Sequence, residues 1–153
     1  LTDGVYDNSG RYSSSKGTTV YFDATANLGN RYRLNEIRLY DFAANTASFN
    51  TAPSYAGKDL LVQVLSDGVW VTVIECTQAE YASHRVGGVS GTLGSAYLSF
   101  DLGGIIGEKV RIYNSGMYGS YTISYFEIEL IGALCIGEGA SNGENIFPRC
   151  LVY

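Results

Sequence analysis

Side chains able to do covalent or acid–base chemistry are sparse in this sequence. His84 is its single histidine, and a serine or cysteine nucleophile would need that ring as base, with a carboxylate to orient it. The chain has no G-x-S-x-G elbow, no P-loop, no H-E-x-x-H and no Cys/His spacing suited to zinc. His84-Arg85 stands ahead of a Gly-rich loop, where it either closes a short turn or meets a ligand. Fifteen Asp and Glu residues could supply a hydrolytic pair, but so small a chain is expected to dock a partner rather than surround a scissile bond. The expectation is therefore a protein that is not an enzyme. The residues best suited to binding lie in Asn114-Ser115-Gly116-Met117-Tyr118-Gly119-Ser120-Tyr121. A sugar offers hydroxyls to planar polar groups and a C–H face to an aromatic ring, and this loop carries both side-chain types.

Three cysteines complete the reactive inventory. Cys135 and Cys150 sit in a Gly- and Asn-rich tail, and a bridge between them would close a loop contributing about 3 kcal/mol in the chain-entropy account. Cys76 falls in an alternating apolar stretch and is expected in the core as a small hydrophobe. In a reducing compartment all three would be thiols.

These residues must be held by elements of period two. Residues 19–23, 34–40, 60–65, 69–74, 97–102, 109–113 and 122–131 are short runs rich in β-branched and aromatic residues, bounded by Gly, Asn, Asp or Ser. Seven or eight such strands, with no amphipathic helices between them, predict an all-β sandwich or jelly roll. Only residues 76–84 could make a helical turn. Asp67-Gly68 supplies positive φ between two alternating runs and predicts a hairpin. Polar loops are expected at 43–58, 85–95 and 114–121, where a sandwich rim carries its binding residues. Alternation stops after Gly132, so residues 1–132 are expected to form the domain and 133–153 an irregular Gly-rich tail or linker.

Length and charge narrow the partners. The 153 residues, 46% hydrophobic, suit one domain with one core. A net charge of −5 with no basic run argues against nucleic acid. No apolar run reaches the roughly 20 residues of a transmembrane helix. The sequence opens at Leu1 with neither Met nor a basic-then-apolar leader, and is expected to be a processed or excised piece. Its 13 Tyr, 19 Gly and low charge predict an extracellular, secreted or cell-surface setting.

Several of these segments, in order, resemble the coagulation-factor type C, or discoidin, domains and the family 32 carbohydrate-binding modules. Leu1-Thr2-Asp3-Gly4 is similar to the family's opening loop. Val20-Tyr21-Phe22-Asp23 followed by Leu34-Asn35-Glu36-Ile37-Arg38-Leu39 resembles its first strand pair, and Ser66-Asp67-Gly68 ahead of Trp70 its central hairpin. Leu98-Ser99-Phe100-Asp101-Leu102, Lys109-Val110-Arg111-Ile112 and the closing run from Ile123 to Gly132 resemble the later strands. The likeness covers residues 1–132. It implies an eight-stranded jelly roll of the galactose-binding type, stapled by a structural calcium ion near the chain ends. Calcium takes six to eight oxygens. The resemblance assigns them to Asp3, a carbonyl near Val5, Asn8 and Glu127, with Asp7 able to replace Val5 or Asn8. It also implies ligand contacts from Asn114 with Tyr118 or Tyr121, and from Arg38, Asp41 and Phe42.

The function so implied is non-catalytic glycan binding, with galactose-type sugars among the expected ligands, in a secreted or cell-surface protein. A single shallow site of this kind binds in the millimolar to micromolar range, about −4 to −8 kcal/mol, which predicts further domains of a parent enzyme or adhesin. A structural or protein-interaction module of an extracellular assembly is the alternative. Lipid docking ranks third, since Phe42 and Phe49 lack basic neighbours.

Overall fold

The structure, a computed structural model, describes residues 12–13, 22–41, 59–87, 96–115 and 124–135. In chain order these form β1 (Tyr12–Ser13), β2 (Phe22–Asp41), β3 (Asp59–Ser66), β4 (Val69–Thr77), a 3-10 helix (Gln78–His84), β5 (Arg85–Val86), β6 (Tyr97–Ser115) and β7 (Ser124–Leu134). All pairings are antiparallel, in the order β1-β7-β2-β6-β3-β4, with β5 also paired to β6.

The two long strands build two layers from this one ladder. β2 and β6, of 20 and 19 residues, pair along nearly their whole length. The amino-terminal part of β2 lies on the carboxy-terminal part of β6, which carries β3 and then β4. The other halves of β2 and β6 carry β7, β1 and β5. Between the halves the register shifts, at Asn27/Tyr32 and again at Leu34/Glu36, and Gly103 and Gly104 adopt φ of 66° and 70°. Bulges and left-handed glycines bend a strand. Here they turn both strands from one layer into the other. Leu60, Val62, Val64, Val110 and Ile112 of the first layer join Leu34, Ile37, Leu39, Leu98, Phe100 and Ile128 of the second in a single buried cluster. The architecture is thus an antiparallel β-sandwich closed over one core.

Residues 22–23 of the expected strand 19–23 lie on one continuous strand with 34–40, as do 97–102 with 109–113, because the Gly- and Asn-rich stretches between them are corners and not loops; residues 19–21 lie outside the described residues. The expected helical turn is the 3-10 helix Gln78–His84. Its start is capped by Glu80, whose Oε2 accepts from the Thr77 amide and hydroxyl at 2.8 and 2.7 Å.

The ladder also runs past the expected boundary at residue 132. Ala133 and Leu134 pair with Arg33 and Tyr32, and the Cys135 amide donates to the Arg31 carbonyl at 2.9 Å. Gly132 does not end the strand. A Cβ there would stand 2.3 Å from the Arg33 carbonyl oxygen, so glycine is what allows β7 to approach β2 so closely. Cys76 is buried as expected. Among the described residues neither Cys76 nor Cys135 forms a disulfide, and Cys150, the expected partner of Cys135, lies outside them.

Candidate functional site

The ends of five strand segments converge on one rim. Phe22 opens β2 opposite Asn114, Asp59 opens β3 opposite Ser115, and Asp41 closes β2 opposite Tyr125 near the start of β7. Asn114 ties the two layers together there. Its Nδ2 donates to the Tyr125 hydroxyl at 3.2 Å and to the Tyr81 hydroxyl, on the 3-10 helix, at 2.8 Å. Asn114 is 1% exposed, and its Oδ1 is buried with no hydrogen-bond partner among the described residues.

The structure therefore places Asn114 inside the sandwich, beneath the rim, and not on its surface. Position parity explains this. Leu60, Val62 and Val64 face inward on β3, and their partners on β6 are Asn114, Ile112 and Val110, so Asn114 is the last inward residue of that series. Asp41 ends β2 on the same rim. Phe42, Tyr118 and Tyr121 lie outside the described residues, as do Asp3, Asp7, Val5 and Asn8.

Arg38 lies away from the rim, on the outer face of the five-stranded layer. It pairs across the ladder with Ser99 and Glu129. Its Nε and Nη2 donate to the two oxygens of Glu36 at 2.9 and 3.0 Å, and Nη1 stands 3.6 Å from Glu129. The Ser99 hydroxyl donates to Glu36 at 2.7 Å, and the Tyr40 hydroxyl to Glu129 at 3.0 Å. The guanidinium lies 5.1 Å from the centre of the Tyr97 ring, a cation–π distance, and Tyr97 also packs on Tyr40. The hydrogen bond from Arg38 holds the Glu36 carboxyl below the usual carboxylate range, against the opposing effect of partial burial and with help from Ser99.

The sequence singled out Arg38 as a ligand contact and Glu127 as a calcium ligand, and did not reveal the network that holds Arg38. The signal was the polar alternation Glu36, Arg38, Tyr40 on one strand, whose partners only the register reveals. Glu127, opposite Tyr40, is 1% exposed. An ionised carboxylate so enclosed needs a cation or hydrogen-bond donors close by. The described residues bring together no group of three or more His, Cys, Asp or Glu able to hold a metal. His84, the single histidine, stacks on the core ring of Phe100 with centroids 4.4 Å apart, and its Nδ1 lies 3.3 Å from the Ser99 carbonyl. No helix among the described residues is long and apolar enough to cross a membrane.

No protein-family model matches the chain, and no curated protein does. Solved structures do. The second family 32 module of a family 31 glycoside hydrolase, bound to GalNAc, superposes with a TM-score of 0.57 at 17% identity, covering 85% of this chain and 83% of that one. The family 32 module of AlyQ, in complex with 4,5-unsaturated mannuronic acid, gives 0.53 at 19% identity over 84% and 80%. Chitosan-binding module 1 of a chitosanase/glucanase from Paenibacillus sp. IK-5 gives 0.53 at 18% over 84% and 79%. With its two antiparallel layers and bent long strands, the chain has the jelly-roll fold of the family 32 carbohydrate-binding modules.

Proposed function

We propose that the protein is a non-catalytic, calcium-stabilised glycan-binding module of a secreted or cell-surface protein, with its primary site on the rim where β2, β3, β6 and β7 meet. The observation that carries this reading is the convergence of Phe22, Asp41, Asp59, Ser115 and Ser124 on that one rim. Phe42 directly follows Asp41, and Tyr118 and Tyr121 fall between Ser115 and Ser124 in the sequence. Aromatic and polar residues on adjacent loops are what a saccharide site requires. The GalNAc and mannuronic-acid complexes of like-folded modules support a sugar as ligand.

In this reading Asn114 is a positioning residue: it fixes Tyr125 and Tyr81 at the rim. Calcium suits the chemistry of Glu127, an enclosed carboxylate on the strand that also receives β1 at Tyr125 and Ser124. Asp3, Val5 and Asn8, in the segment ahead of β1, would supply further oxygens. The bound ion would staple the amino-terminal segment to β7 and take no part in chemistry.

Calorimetry against galactose-, GalNAc-, glucosamine- and uronate-type saccharides, with calcium present, tests the proposal. Micromolar to millimolar binding that is lost in Tyr118→Ala/Tyr121→Ala supports it. No binding to any of them, or binding indifferent to that double substitution, refutes the rim site. Calcium should raise the melting temperature of the wild-type chain and not that of Glu127→Gln.

A further inference from the structure

The outer face of the four-stranded layer forms three transverse rows. Trp70 lies opposite Leu65, Leu65 opposite Lys109, and Lys109 opposite Asn27. Next come Thr72, Gln63, Arg111 and Thr25, then Glu75, Leu61, Tyr113 and Asp23. The alternate residues Val62, Val64, Val110 and Ile112 are buried, so these rows point to solvent. Trp70, the only tryptophan of the chain, is left 38% exposed there.

We infer that this face is a second saccharide platform, which takes an extended neutral glycan chain across Trp70 and Tyr113. Four residues of strand and two strand spacings separate the backbone positions of Trp70 and Tyr113, about 13 Å by 10 Å, or roughly 16 Å on the diagonal. That span exceeds one sugar ring and suits a run of several. Between the rings stand planar polar groups already held in place. Arg111 is clamped by Asp23 through Nε at 3.1 Å and Nη2 at 2.8 Å, and the Gln63 amide donates to the Thr72 hydroxyl at 3.2 Å. Preorganised groups lose little side-chain entropy on binding.

Charge selects the class of occupant. The three rows carry Lys109 and Arg111 against Asp23 and Glu75, a balance of zero in a chain whose total is −5. A balanced, hydrogen-bonding surface between two aromatic rings offers no net attraction to an acidic or a cationic polymer, but matches alternating hydroxyls and C–H faces. The inference adds a chain-binding surface to the rim site and rests on the reading of the protein as a glycan binder.

Because Trp70 is the sole tryptophan, indole emission reports on this face alone. The experiment follows that emission, and mobility in polysaccharide-containing native gels, with β-glucan, xylan, mannan and galactan and their hexasaccharides. At least one neutral polymer should shift the emission and retard the protein. Trp70→Ala should weaken retardation about tenfold, Tyr113→Ala several-fold, and Trp70→Phe should restore most of it. The rim variant Tyr118→Ala/Tyr121→Ala should keep the emission change. Retardation abolished by the rim variant but untouched by Trp70→Ala would overturn this inference and leave the rim reading standing. An emission change that grows with protein concentration alone, accompanied by dimerisation in sedimentation, would assign the face to a second copy and also overturn it. Absence of binding by every variant and the wild type would sink both.

Discussion

Replacing Asn114 by Ala separates two roles that its sequence position allowed, ligand contact and interior tie. The substitution removes the donor shared by Tyr81 and Tyr125, at 2.8 and 3.2 Å. Each buried hydrogen bond contributes about 1 kcal/mol net, so losing two costs about 2 kcal/mol. Truncation also leaves a small void under the rim, costing on the order of 1 kcal/mol. Against this, the buried Oδ1 that finds no partner among the described residues disappears, which returns about 1 kcal/mol of desolvation penalty. The balance is a loss of about 2 kcal/mol, or roughly 4–8 °C in melting temperature for a chain of this size. Urea unfolding followed by circular dichroism measures it, and the midpoint should fall with the slope unchanged. Asn114→Asp should cost more, and increasingly so as pH rises, because an ionised carboxylate would then be enclosed. An Asn114→Ala variant that unfolds within about 0.5 kcal/mol of wild type while saccharide affinity collapses would refute the interior role, since that is the signature of a surface contact.

Three further outcomes follow from the same geometry. Glu36 is held below its ordinary pKa of 4.5, chiefly by the hydrogen bond from Arg38; a depressed folded pKa confers stability that is present above the unfolded value and is lost as pH falls through the folded one. Glu36→Gln should therefore flatten the acid limb of a urea-midpoint profile below about pH 4.5, and an unchanged limb would show that the pair is energetically idle. Burial pushes the Cys76 thiol up to about 11, so it should resist a disulfide reagent at pH 8 until urea unfolds the chain, while half-buried Cys135 reacts first; equal native rates would contradict the packing. Gly132→Ala should destabilise by more than about 2 kcal/mol, since its Cβ would meet the Arg33 carbonyl at 2.3 Å, and a near-neutral result would mean that β7 and β2 lie farther apart.

Period-two alternation made the sandwich legible, because one buried face per strand writes itself directly into residue order. Leu60, Val62 and Val64 are the plainest case. Asp67-Gly68 likewise announced its hairpin, with φ of 48° and 80° in the turn. Strand continuity was not legible. Glycines at 29, 103 and 104 look like loop residues in sequence, yet they bend strands that go on pairing. The site was harder for a related reason. Asn114 carries the chemistry of a binding residue, but only its partner Leu60 reveals that it points inward. Trp70 stood out merely as part of a hairpin, since the face it takes is set by its pairing with Leu65, whose neighbours Val62 and Val64 point inward, and the local sequence does not state that register.

A register shift in β7 explains how one strand serves both the interior tie and the enclosed acid. Strict alternation would put Tyr125, Glu127 and Glu129 on a single face. Glu127 pairs with Tyr40 and Tyr125 with Asp41, so Phe126 is an extra residue between them. A one-residue slip reverses every side chain beyond it. Glu127 and Glu129 stay on the outer face with Tyr40 and Arg38, whereas Tyr125 turns into the core to receive Asn114. Without that bulge the strand could hold the rim together or carry the carboxylate, not both. Deleting Phe126 would leave Tyr125 and Glu127 as neighbours, on opposite faces and still opposite Asp41 and Tyr40, and should spare the Asn114–Tyr125 bond, whereas one residue inserted between Tyr40 and Asp41 would give Phe126 a partner, put Tyr125 and Glu127 on one face and abolish that bond. An insertion variant that kept wild-type stability in urea unfolding would show that the slip has no such consequence.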